Sequence, residues 1–307
     1  MTGAGSGTLV ACGEADFAGS LVDDDSDGDP DLFKLGRDPT ITELSLSNAL
    51  ASMRQGDEAW AVEDIKQNFE GAFTVEAAVS EDVHAQIEDN LVLNAADTIE
   101  PGLSTSGRIF AGVDYLSGTA TEEYLGCIPL EYSINYEQGS NVTYSLSMAY
   151  ADQKPDPTTD LSTATEVSAG TTIAFHGFDL SIEGTTVSDL QSATLSLSDL
   201  ARFHRGADPT PTRGVTAAPS AELTANALFT EPTRLDLARG ATDSAPPDRL
   251  SSVAGAITLN GPAGTLRTYN LQNVKPDTHN WNEIVSAEDA NDETVFSITG
   301  TPAVTFP

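Results

Sequence analysis

Residues 44–47, Leu-Ser-Leu-Ser, return at 195–198, and their surroundings return in the same order. Leu50-Ala51 and Gly56 match Leu200-Ala201 and Gly206, and Gly71–Glu81 lines up with Ala221–Glu231. Upstream, Gly7–Ala11 resembles Gly170–Ala174. Downstream, Leu103, Ser104 and Ile109 resemble Leu250, Ser251 and Ile257, and Thr143–Ser147 resembles Val295–Thr299. Alternating Ser/Thr and aliphatic residues match any strand, so no single correspondence says much. Their shared order, each separated by about half the chain, points to one folding unit present twice. The join falls at Asp152–Asp160, where two prolines and several polar residues form a linker. The expected organisation is a first unit over 1–155, a linker over 156–164 and a second unit over 165–307.

The periodicity inside each copy predicts strands. Phe73, Val75, Ala77 and Val79 alternate with polar neighbours, as do Tyr132, Ile134 and Tyr136, and then Val142, Tyr144, Leu146, Met148 and Tyr150. Gln138-Gly139-Ser140 between the last two runs signals a hairpin. One short helix per copy follows the central strand. In the first copy Ser80 can cap, and Val83, Ile87 and Leu91 share a face. In the second, Thr230 can cap, Pro232 suits the first turn, Arg239 the last, and Gly240 the stop. The fold class is therefore mainly β, two tandem β-sandwich or barrel domains with one short α-helix each. Two insertions break the symmetry, an acidic one near 22–34 and one near 272–293.

The charge limits partners and surroundings. With 47 acidic and 14 basic residues the net charge is −33, and only Lys34, Lys66, Lys154 and Lys275 are lysines. Self-repulsion on this scale destabilises a compact state at ordinary ionic strength. At about 1 M salt the Debye length shrinks to about 3 Å and the repulsion is screened, so the composition is that of a protein from a halophile. Nucleic-acid binding needs clustered Lys and Arg. The one basic cluster, Arg202, His204, Arg205 and Arg213, is expected to meet carboxylates at an interface. Cys12 and Cys127 could form one bridge, but no disulfide framework or metal spacing is present, and two small buried apolar residues are the favoured expectation. The residues before Cys12 lack the basic region and apolar run of a lipoprotein or secretory signal, and no stretch approaches a membrane span.

Catalytic signatures such as Gly-x-Ser-x-Gly, His-Glu-x-x-His, a phosphate loop or Cys-x-x-Cys do not occur, and no cofactor is expected apart from calcium. Asp23, Asp25, Asp27 and Asp31 stand at the first, third, fifth and ninth positions of a calcium-loop pattern, with Gly28 at the sixth. The twelfth position, normally a bidentate Glu, is Lys34.

Strand Leu44–Leu50, alternating strand Phe69–Val79, helix Glu81–Leu91 and hairpin Tyr132–Tyr150, each with a counterpart in the second half, together resemble the tail tube proteins of long-tailed, siphovirus-like viruses. That resemblance implies a non-enzymatic virion protein, present in the host cytoplasm during assembly and in the tail afterwards. It implies six-fold rings stacked into a hollow tube through which viral DNA passes, with other tail proteins at its ends and no membrane insertion. Two units per chain would make each ring a homotrimer with pseudo-six-fold symmetry. A capsid, tail-fibre or surface-layer protein of a halophile is the alternative, and a hydrolytic β domain with paired carboxylates the third reading.

Overall fold

The computed structural model describes residues 7–24, 26–47, 50–53, 63–66, 70–115, 118–155, 158–230, 232–240, 247–282 and 290–307. The first half carries β1 (Gly7–Gly13), β2 (Phe33–Lys34), β3 (Arg37–Ser47), β4 (Leu50–Met53), β5 (Glu63–Lys66), β6 (Glu70–Ala78), α1 (His84–Leu91), β7 (Gly107–Tyr115), β8 (Gly118–Glu137), β9 (Thr143–Tyr150) and β10 (Asp152–Pro155). The second carries β11 (Phe178–Ile182), β12 (Thr185–Thr186), β13 (Leu190–Ser198), β14 (Ala201–Arg205), β15 (Pro211–Thr216), β16 (Ser220–Leu228), α2 (Thr233–Arg239), β17 (Val253–Gly261), β18 (Gly264–Asn282), β19 (Asn291–Ile298) and β20 (Val304–Thr305). The chain is mainly β, as its alternation predicts.

Pairing is antiparallel between all these strands and follows one order in both halves. In the first half the order is β1–β7–β8–β9–β6–β3. In the second it is β11–β17–β18–β19–β16–β13. A separate hairpin, β4–β5 or β14–β15, leaves the sheet at the same point of each order. Short strands β10 and β20 line the first parts of β8 and β18. Irregularities coincide too: β8 is bulged between Pro129 and Glu131, β18 between Pro276 and Thr278. Proline cannot donate to a ladder, so a bulge is where a long strand accommodates one.

The register changes some sequence correspondences. Beside β17, the place of β1 is held by β11, not by Gly170–Ala174. Thr143 pairs with Ala78 and Asn291 with Leu228, so Thr143 corresponds to Asn291 rather than Val295. Residues 272–282 belong to β18, which matches β8 in length, and 283–289 lie outside the described residues.

The alternating positions form the core. Phe73, Val75, Tyr132, Ile134, Tyr144, Leu146 and Tyr150 join Leu195, Leu223, Ile257, Tyr269 and Phe296 in one buried cluster that runs through both halves. The halves therefore share one interior; Asp152–Pro155 is strand β10, and within the expected linker Leu161–Thr163 is a 3-10 turn started by Asp160, while 156 and 157 lie outside the described residues. Val83, just before α1, and Ile87 and Leu91 within it are buried as the periodicity predicts. The helix begins at His84 without a side-chain cap, so Ser80 does not take that role. In α2 Gly240 ends the helix in the left-handed region at φ 72°, but Thr230 does not cap it.

Candidate functional site

Among the contacts that join the halves, two features stand out. The first is a seam in which β8, after its bulge, pairs with β13: Tyr132 with Leu197, Ser133 with Ser196, Ile134 with Leu195, Asn135 with Thr194, Tyr136 with Ala193 and Glu137 with Ser192. The inward residues Tyr132, Ile134, Leu195 and Leu197 are all buried. On the opposite face the Thr194 hydroxyl donates to Asn135 Oδ1 at 3.1 Å. Cross-strand apolar pairs below and a polar pair above hold the register.

The second feature is a buried ionic knot. Glu88 of α1 has a fully buried side chain. Its Oε1 accepts the hydroxyls of Tyr132 at 2.5 Å and Tyr269 at 2.7 Å. Its Oε2 accepts Arg267 Nε at 2.7 Å. His84 Nε2 lies 3.2 Å from the Tyr269 oxygen and 3.4 Å from Glu88 Oε1. Arg267 also contacts Asp89. Burial works against the charged carboxylate. Attraction to His84, the Tyr132 hydrogen bond and Arg267 outweigh it, and hold the Glu88 carboxyl down at about 2. Burial beside this charge pushes the Tyr132 and Tyr269 phenols well up. Arg267 and Tyr269 sit on β18, while His84 and Glu88 sit on α1, so the knot locks the two halves together.

Two further carboxylates with fully buried side chains also meet arginines. Asp292 of β19 is held by Arg234 of α2, and Glu14 by Arg108, which reaches Glu123 as well. Burial raises the Glu14 carboxyl despite these partners. These groups fasten the fold and offer no accessible acid–base pair. One cleft, of about 720 Å³, is lined by Glu14, Asp16, Asp89, Asp97 and Arg213 among others, and Glu14 and Asp89 are already committed to arginines.

The sequence-predicted positions divide. Asp23, Asp27 and Asp31 each accept a backbone N–H inside the acidic loop, from Gly28, Asp29 and Asp24 respectively, and Asp25 lies outside the described residues. Among the described residues no group of three or more His, Cys, Asp or Glu is placed to hold a metal. Cys12 and Cys127 are free and buried, and burial pushes the Cys12 thiol up to about 11. Arg202, His204, Arg205 and Arg213 do come together, on the β14–β15 hairpin, where His204 pairs with Arg213 in the ladder. Arg202, His204 and Arg213 are exposed. The knot itself was not foreseen: His84 and Glu88 share a helix face, but Arg267 and Tyr269 are distant in sequence, and no spacing ties them together.

Antiparallel sheets zipped edge to edge, with the buried charges described paired inside the fold, define a β-rich structural module. The sequence matches the phage tail tube protein family over residues 6–305, and the chain belongs to that family. It is thus a structural component of a phage tail and of the virion, and the family points to a non-enzymatic role. No curated protein matches the chain. One solved structure with some similarity is the cryo-EM structure of the anti-feeding prophage baseplate, 6-fold symmetrised. The identity is 17%, the match covers 51% of this chain and 97% of that one, and the TM-score is 0.30, too slight a likeness to carry weight. No helix among the described residues is long and apolar enough to cross a membrane.

Proposed function

We propose that the chain is the subunit of a hollow tail tube of a siphovirus-like phage with a halophilic host. Each chain supplies two equivalent units, three chains close a ring with pseudo-six-fold symmetry, and rings stack into a conduit for the genome. Assembly takes place in the host cytoplasm, and other tail proteins meet the tube ends. The observation that carries this reading is the pairing order shared by β1–β7–β8–β9–β6–β3 and β11–β17–β18–β19–β16–β13, with the bulges at Pro129 and Pro276 in the same place. A duplicated unit of a family whose members build tubes supplies two positions of a ring at once. The net charge of −33 supports both remaining parts: it suits molar salt, and an acidic lumen would repel DNA phosphates during passage.

Electron microscopy of the purified protein in molar salt tests the reading. Rings or tubes of three chains, each ring with six similar lobes, are expected. Six chains per ring would refute the duplication argument, and monomers alone would refute the tube.

A further inference from the structure

The seam inside the chain has an unfilled counterpart at each end of the sheet. Among the described residues, β3 pairs only with β6, and the second part of β18, beyond its bulge, only with β19. The corresponding strands of the other half are β13, which pairs with both β16 and β8, and β8, which after its bulge pairs with both β9 and β13. We infer that β18 of one chain zips onto β3 of a second copy, in the register that β8 and β13 already display within the chain. This rests on the tube reading and specifies its contact.

The register follows from the ladders. The shared bulge aligns Pro129 with Pro276, so Ile134 corresponds to Trp281 and Asn135 to Asn282. Thr42 stands opposite Thr74 as Thr194 stands opposite Thr224, and Ser45 stands opposite Ala72 as Ser196 stands opposite Glu222. Glu43 and Leu44 together occupy the place of Leu195, at a bulge between Thr42 and Ser45. The seam pair Ile134–Leu195 thus becomes Trp281 of one chain against Leu44 of the next. The pair Asn135–Thr194 becomes positions 282 and 42, where the sequence again has Asn and Thr.

The exposure of these residues is a separate observation with the same meaning. Ile134 and Leu195 are each 1% exposed, whereas Trp281 is 47% and Leu44 44% exposed. They are two of the six large hydrophobic residues exposed among the described ones. Unpaired strand edges carrying apolar side chains are a liability unless something covers them. Here the two edges complement each other rather than themselves: β3 fits β18, not a second β3. The contact is therefore head-to-tail and closes into a ring only through further copies.

The test is the double variant Leu44→Cys/Trp281→Cys, oxidised under assembly conditions beside both single variants. A covalent ladder ending at three chains is expected from the double variant, and no ladder from either single variant. If the variant forms rings by electron microscopy but no ladder, the register is overturned. Equal cross-linking of a single variant would overturn the head-to-tail geometry. A wild-type chain that stays monomeric would overturn the tube reading, and the seam with it. A second measurement avoids the cysteines. In a Trp60→Phe chain, Trp281 is the sole tryptophan; its emission should shift to the blue and lose acrylamide quenching as rings form. Rings with unchanged emission and quenching would refute the contact.

Discussion

Arg267→Met tests what holds the two halves together. The substitution keeps much of the side-chain volume and removes the charge facing Glu88 Oε2 at 2.7 Å. Glu88 would keep two phenol donors and His84, but its side chain is fully buried. Breaking a buried ion pair from one side costs about 3–5 kcal/mol, because the remaining charge is uncompensated. The Glu88 carboxyl is held at about 2 by all its partners together, His84 first and Arg267 among them, so the guanidinium supplies one share of that stabilisation. Loss of the partly exposed Asp89 contact adds under about 1 kcal/mol. Urea denaturation of dispersed chains, read by circular dichroism and by fluorescence, should therefore show a loss of about 3–4 kcal/mol. The double variant Glu88→Gln/Arg267→Met is the control. Its amide oxygen still accepts both tyrosine hydroxyls and the carboxylate–guanidinium pair is removed as a whole, so it should recover much of the loss. A single variant costing under about 1 kcal/mol, or a double variant no better than the single, would show that charge pairing does not hold the junction.

The same carboxylate predicts an acid limb. Its folded pKa is depressed from 4.5 to about 2, so its contribution is complete above pH 4.5 and lost as pH falls through about 2. Relative to Glu88→Gln, the native chain should lose about 3 kcal/mol over that window; parallel pH profiles for the two proteins would contradict this. Gly71 faces Tyr150 across the ladder, and an added Cβ there would lie 2.0 Å from the Tyr150 ring. Gly71→Ala should cost about 1–3 kcal/mol through overpacking in thermal melts. The corresponding pair, Ala221 with Ile298, already accepts a methyl group, and no measurable loss in Gly71→Ala would mean that Tyr150 moves aside freely.

The sequence showed the central strands, the 132–150 hairpin and the buried face of α1, because period-two and helical patterns survive where one face packs on a core. It did not show the register. A slip by an even number of residues leaves every side chain on the same face. Thr143–Ser147 therefore matched Val295–Thr299 as readily as the stretch beginning at Asn291, which holds the same place in its ladder. Pro129 and Pro276 were the available markers, since a proline inside a long strand implies a bulge at a fixed place. The ionic knot was hidden for another reason. Glu88 and Arg267 are 179 residues apart, and in a chain this acidic any arginine has many candidate partners. Leu44 reads as an ordinary strand residue and Trp281 as part of the insertion near 272–293; their exposure beside edges with one partner separates them from Ile134 and Leu195.

The charge and the edges together predict how assembly depends on salt. Each chain carries a net −33, and each offers apolar edges at Leu44 and Trp281. At about 0.1 M salt the Debye length is about 10 Å, so approaching chains repel before their edges can pair. At about 1 M it is about 3 Å, shorter than the spacing of neighbouring strands, and the repulsion no longer extends beyond contact. The apolar contact itself does not weaken over that range, because its driving force is not charge. Light scattering after a jump from low to high sodium chloride should therefore show assembly rising steeply with salt. Trp281→Ser should slow it at every concentration while preserving the dependence on salt. Assembly that is fastest at low salt would mean that opposite charges bring the chains together. The basic hairpin of Arg202, His204, Arg205 and Arg213 would then be the contact to examine, in place of the β3 and β18 edges.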